Sequence, residues 1–239
     1  MAVIKIKNNT HQTIFDDFND KNVEISIADG AVLDYFSVCR DHVAVVERNL
    51  LVSLGKNCRF HHYNFYFCKG SSNNKITVVF DGEGSECELN GCVVAGGTQR
   101  VENHTLIDHK TANCTSNELY KYVLDDKSVG VFEGRILVRQ DAQKSVSQET
   151  NRNLCLTKES RMFTKPELEI YADDVKCAHG STVGQLNEQV LFYMQQRGIS
   201  LPKAKILLQQ AFVNEVIERI PDAEMKEKLM SDVEQRLYK

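Results

Sequence analysis

The sequence contains no tryptophan and only three prolines in 239 residues. It also has no Cys-x-x-Cys pair. The nearest cysteines, Cys87 and Cys92, are separated by four residues, which excludes a zinc ribbon or a thioredoxin-like motif. No apolar run approaches the length of a membrane span. The opening MAVIKIKNNTHQ lacks an apolar core followed by a small-residue cleavage site, so it does not read as a secretory signal. No Lys/Arg block occurs, and the net charge is −4. The basic face of a nucleic-acid binder is therefore not expected. The Gly-x4-Gly-Lys-Ser/Thr cradle for ATP, a Gly-x-Gly-x-x-Gly between strand and helix, Gly-x-Ser-x-Gly, His-Glu-x-x-His and tandem hexapeptide repeats are all missing. GEGSECELNG is glycine-rich, but its acids would repel a phosphate. Without a signal, the eight cysteines are expected as thiols in a reducing cytosol.

What is present divides into two periods. From Val23 to about Gly184 the apolar rhythm is two, as in half-buried strands. Val23, Ile25 and Ile27 share a face, as do Ile76, Val78 and Phe80. Tyr63, Phe65 and Phe67 alternate against Asn64 and Tyr66. Phe132, Gly134, Ile136 and Val138 alternate likewise. Turns fall at ADG (28–30), LGKN (54–57), GSSNN (70–74), DGEG (81–84) and AGG (95–97). With so few prolines, Gly, Asn and Asp do the turning. Short strands of this kind suit a sandwich, a barrel or a β-helix. Turn signals recurring every 20–25 residues, with polar outer faces, favour the β-helix.

From Asn187 the period becomes helical. NEQVLFYMQQRGI has Asn187 as N-cap and Gly198 just past the end. SLPKAKILLQQAFVNEVIERI has Ser200 as cap and Pro202 in the first turn. Its apolar stripe is Ala204, Leu207, Leu208, Ala211, Phe212, Val216 and Ile220. Pro221 ends it. A third, polar helix follows, with Met225, Leu229, Val233 and Leu237 on one seam. The pattern predicts a β core over 1–184 and a small helical domain over 185–239.

Chemistry-bearing residues are sparse. His61 and His62 are adjacent on a strand and point to opposite faces. His104 and His109 also face opposite sides. Cys39, Cys68, Cys87 and Cys92 lie in apolar strands and are expected as core, while Cys58 and Cys114 have no recognisable partner. Cys177 and His179 differ. Two positions apart in an extended segment, a thiolate and an imidazole project from one face and can approach one soft metal ion. Two ligands do not complete a site. Spacing alone leaves two readings open, half a site completed by another subunit or no site. Asp173 and Asp174 read as a solvated edge or Asx-turn.

The segment KPELEIYADDVKCAHGSTVGQLNEQVLFYMQQRGI, with LLQQAFVNEVIERI after it, resembles the SufB/SufD family of iron–sulfur cluster assembly proteins. The resemblance spans most of the chain and is densest between Arg135 and Ile220. Lys-Cys-x-His-Gly at Lys176–Gly180 matches the SufD-type branch. SufB-type chains have His-Glu where this chain has His179-Gly180, and an earlier functional cysteine that aligns near Asn151. Cys155 reads as core.

The resemblance implies a right-handed parallel β-helix followed by a small C-terminal helical domain. It also implies a non-catalytic scaffold subunit, cytoplasmic, within a SufBCD complex. Such a subunit pairs with a SufB-like partner through the β-helix, or with its own copy when that partner is missing. It holds a SufC-like ATPase through the C-terminal helices, for which Leu208, Phe212 and Glu215 are candidates. A nascent iron–sulfur cluster forms transiently at the subunit interface, with His179 and Cys177 as contributors, and the chain alone binds no cofactor. Members usually carry a largely helical segment before the core. This chain begins almost at the core, so a shortened form is expected. The rival readings are a β-helical carbohydrate-active enzyme, using Asp173-Asp174 with Arg135 or Arg139, and a metal-free homodimeric binding module.

Overall fold

A computed structural model describes residues 1–40 and 42–238. Among these residues, fourteen strands are followed by three helices. Consecutive strands alternate between two seven-stranded sheets, and every pairing is parallel. The odd strands, β1 (Ala2–Ile6), β3 (Asn22–Ile27), β5 (Val46–Leu54), β7 (Ser72–Phe80), β9 (Arg100–His109), β11 (Val129–Val138) and β13 (Arg161–Ile170), form one wall. The even strands, β2 (His11–Asp16), β4 (Val32–Cys39), β6 (Arg59–Tyr66), β8 (Glu86–Ala95), β10 (Thr115–Leu124), β12 (Val146–Cys155) and β14 (Lys176–Gly184), form the other. The expected parallel β-helix is what the chain builds.

Its coils are longer than the 20–25 residues that the turn spacing suggested. Val23 lies beside Ala2, an offset of 21 residues. Leu50 then lies beside Val23, Val129 beside Arg100 and Arg161 beside Val129, offsets of 27, 29 and 32. The strands themselves lengthen, from 5 residues in β1 to 10 in β9, and each coil grows with them. A second difference is at GSSNN. Ser72, Asn73 and Asn74 belong to β7, not to a turn. Ser72 and Asn74 are buried, and Asn74 Nδ2 donates to Asn103 Oδ1 at 3.1 Å. An inward hydrogen bond makes polar residues compatible with a strand interior.

One corner explains much of the turn chemistry. Asn9, Gly30, Asn57, Gly84, Asn113 and Lys144 all have positive φ, between 53° and 76°. They recur at the coil offset, and each N–H reaches the carbonyl beside the corner of the next coil, as Asn57 does to Glu83 O at 3.0 Å. Only Gly, or short polar residues such as Asn, enter this region readily. At Gly30 a Cβ would lie 2.2 Å from Asn9 Oδ1, so glycine there also makes room for the neighbouring Asn. Next to this column, Ala31, Cys58, Ser85, Cys114 and Ser145 stack, each carbonyl accepting an N–H from the following coil. Cys58 Sγ donates to Ala28 O at 3.1 Å and Cys114 Sγ to Ala112 O at 3.4 Å. Both thiols thus serve the corner.

The core lies inside the coil. Ile25, Val52, Phe60, Val78, Leu89, Ile107 and Phe132 are among its buried members. A second cluster lies outside the even wall, where Phe36, Tyr63, Phe65 and Val94 meet Val213, Val216, Ile217, Leu229 and Val233 of the helices. The sequence rhythm predicted half-buried strands. Instead β6 is buried on both faces over most of its length, because the helices cover its outer side. Each fully covered Val or Ile here contributes about 1.5–3 kcal/mol.

The helices are α1 (Glu188–Gln196), α2 (Leu201–Ile217) and α3 (Ala223–Leu237). Asn187 caps α1, accepting from the N–H of Gln189 and Val190, and Gly198 follows its end with φ +82°. Ser200 and Pro202 open α2, and Asp222 caps α3 by accepting from Met225 N. Ala204, Val216 and Ile220 of the expected stripe are buried, but the rest of the buried side of α2 is displaced from it. Val213, Val216, Ile217 and Gln209 are buried, whereas Leu207, Leu208 and Phe212 are half-buried and Ala211 is exposed. The cause is that α2 rests on the even wall and lies against both α1 and α3. At its end Arg219 donates to Asn90 Oδ1 and Asn117 Oδ1 at 3.0 and 2.8 Å.

Candidate functional site

The even wall ends at β14, which pairs only with β12 among the described strands. In the register Cys177 stands beside Ser147, and His179 beside Glu149. Side chains at matched positions of a parallel ladder share a face. Ser147, Glu149 and Asn151 are buried, facing the inside of the coil. Cys177 and His179 therefore line the inner face of the final, uncovered coil. His179 is exposed. Cys177 is half-buried and packs on Ile136, Val138, Ala142 and Ala172. Burial pushes its thiol up, with the Ser147 backbone opposing. Among the described residues, no group of three or more Cys, His, Asp or Glu side chains is placed to hold a metal ion. The pair offers two ligands of the four that a closed site needs.

Directly behind His179 lies a feature that motif reasoning missed. Glu118, Glu149 and His179 occupy matched positions on β10, β12 and β14. Glu118 and Glu149 are buried to 0% and 1% exposure. Glu118 Oε2 accepts from Thr105 Oγ1 at 3.1 Å. Its other oxygen and both oxygens of Glu149 have no hydrogen-bond partner. Burial pushes the Glu118 carboxyl well above its usual range, and the Glu149 charge adds to this. Burial likewise pushes Glu149 up to about 7, with Glu167 adding. Gly134, on the facing wall, makes the space: a Cβ there would lie 2.4 Å from Glu149 Oε2. The interior thus holds two carboxyl groups whose protonated forms are favoured by burial, the nearer one strand from the exposed imidazole. The available signal was parity. Glu118 falls in step with the inward Tyr120 and Tyr122 rather than with the outer residues.

The remaining candidates are placed as follows. Lys121, on the outer face of β10, lies 4.5 Å from the Phe212 ring centroid and donates to Phe212 O at 2.7 Å. It also pairs with Glu215, which Arg152 reaches at 2.9 Å. Leu208 is half-buried on the same helix. His62 is buried and donates to or accepts from Ser37 Oγ at 3.0 Å, while His61 turns outward to Asp34 at 2.8 Å. His109 is buried, and His104 contacts Glu133 on the outside. Cys39, Cys68, Cys87, Cys92 and Cys155 are buried. Asn151 is buried and donates to Tyr120 O at 3.2 Å. Asp173 and Asp174 are exposed. Arg139 grips Asp108 through two hydrogen bonds of 2.8 Å, and Arg135 pairs with Glu169, so neither arginine is engaged with the acidic pair.

Residues 2–212 match the family model "SUF system FeS cluster assembly, SufBD core domain". The iron-sulfur cluster assembly protein SufD of Escherichia coli K12 is 38% identical over 164 residues, covering 69% of this chain and 39% of that protein. An iron-sulfur cluster assembly SufBD family protein of Synechocystis is 31% identical over 217 residues, covering 89% and 47%. The SufD of Plasmodium falciparum is 25% identical over 97% of this chain, covering 17% of its own length. The chain thus spans less than half the length of these relatives. With its β-helix, its Cys-x-His on the last strand and a family match over most of its length, the chain belongs to the SufB/SufD family of iron–sulfur cluster assembly proteins and is most like SufD.

Proposed function

We propose that this chain is a SufD-type scaffold subunit that works in a complex with a SufB-type β-helical partner and a SufC-type ATPase. The observation that carries the proposal is the half-site on β14. A thiol and an exposed imidazole share one face of an edge strand, and no third ligand joins them among the described residues. The partner strand supplies the missing ligands, and a nascent iron–sulfur cluster is the cargo held between the subunits. Soft sulfur and imidazole ligands suit that cargo. His179 is the principal contributor. Cys177, raised by burial and packed on the apolar end of the coil, assists at a lower thiolate fraction.

The apolar side chains around this end support docking there. Phe163, Ile170, Tyr171 and Val183 are 55%, 42%, 59% and 52% exposed. An exposed apolar rim beside an unpaired strand edge is the kind of surface that a partner covers. The chain itself hydrolyses no ATP in this scheme. The ATPase binds the helical segment over 185–239 at α2, through Leu208 and the exposed part of Glu215, while Phe212 is engaged by Lys121 and the even wall, and the complex works in the cytoplasm. Native mass spectrometry of the chain mixed with SufB-type and SufC-type proteins tests this. A complex containing all three is expected. Only homodimers of this chain, whatever the mixture, would overturn it.

A further inference from the structure

Cys39 and Cys68 lie on neighbouring coils of the even wall, and their sulfurs are 2.6 Å apart. Cys39 closes β4, and Cys68 stands two residues beyond β6. The coils are held in step there by the Phe67 N–H on Cys39 O at 2.9 Å. Both residues are buried to 0% exposure. The Cys68 thiol is lowered to about 7, chiefly by the hydrogen bond from Cys39, with burial opposing and Tyr66, Gly70 and His42 helping. Cys87 and Cys92 are pushed the other way by burial. The geometry assigns Cys39 and Cys68 as an oxidant-sensitive dithiol that closes to a disulfide between adjacent coils. A small displacement separates the present contact from an S–S bond of about 2.05 Å.

The chemistry balances with a peroxide as oxidant. The Cys68 thiolate attacks one peroxide oxygen, the O–O bond breaks and hydroxide leaves, giving a sulfenic acid. The Cys39 sulfur then attacks that sulfur, the S–O bond breaks, and the released oxygen leaves as water with the thiol proton. Two thiols and one hydrogen peroxide give one disulfide and two waters. A cavity of about 730 Å³ lined by Lys69, Gly70, Gln99 and Arg236 adjoins the site. Gln99 Nε2 donates to Cys68 O at 2.7 Å, which ties a lining residue of the cavity to the Cys68 backbone.

The same ledge supports α3. Arg40, next to Cys39, donates to Asp232 Oδ2 at 2.9 and 2.7 Å, and Arg236 donates to Gln99. Closure would fix the coil that carries Arg40 to the next one, beside the coil on which Arg236 meets Gln99.

The test treats the folded chain with hydrogen peroxide, alkylates the remaining thiols and maps the peptides without reduction. A Cys39–Cys68 peptide link is expected, reversed by dithiothreitol, retained in Cys92→Ser and lost in Cys39→Ser. The primary readout uses the unaltered chain, so a variant that misfolds does not remove it. Cys39 and Cys68 both alkylated after peroxide, Cys68 carried to sulfinic acid with no link, or a link that appears only in urea would each overturn the assignment.

Discussion

Glu149 sets a pH response with a definite sign. Its folded pKa, about 7, lies above the ordinary value of 4.5. Between those values the folded chain binds more protons than the unfolded one, so this group lowers stability as pH rises. Glu149→Gln keeps the shape and removes the charge. Urea unfolding should find it more stable than the parent at pH 8, by about 3 kcal/mol, and nearly equal at pH 4. An unchanged or lower stability at pH 8 would contradict the placement. His62 and His109 act oppositely. Burial lowers them to about 3 and about 4, so the stability they contribute is present above 6.5 and is lost as pH falls. The parity of His61 and His62 could be read from the chain. The Glu118–Glu149 pair could not, because adjacency across coils depends on a register that no local motif encodes.

At the scale of elements, α2 is held by charge as well as by apolar contact. Lys121 is nearly inaccessible, and Glu215 is its carboxylate partner. Glu215→Ala leaves a buried ammonium without that partner. Thermal unfolding should begin at a lower temperature, with faster hydrogen exchange in α2. Arg152→Ala, at an exposed pair, should change little. Equal effects from both would contradict this. The corner column gives a second test. Asn57 has φ +53°, so Asn57→Ala should lose about 1 kcal/mol while Asn57→Gly loses less. The starts of α1 and α2 were legible, since Asn187, Ser200 and Pro202 act locally, whereas the Asp222 cap of α3 was not read. The buried side of α2 and the double burial of Tyr63–Phe67 were not. Both depend on which wall the helices cover.

At the scale of the molecule, the two-residue rhythm left sandwich, barrel and β-helix open, the recurring turns favoured the β-helix, and the family resemblance implied it. The turn spacing underestimated the coil because it ignores how far the strands extend. The position of Cys177 and His179 on a terminal strand follows from the whole winding, which sets them on the edge of the even wall. The central claim is that His179 acts on cargo at a subunit interface rather than in the fold. The most direct measurement is cluster formation, followed by visible absorbance and iron content, in the complex reconstituted with SufB-type and SufC-type partners. His179→Ala should preserve the thermal transition and the mass of the complex while lowering cluster yield by about tenfold or more, the loss typical of removing one ligand-shell contact. A full cluster yield from that variant would contradict the account.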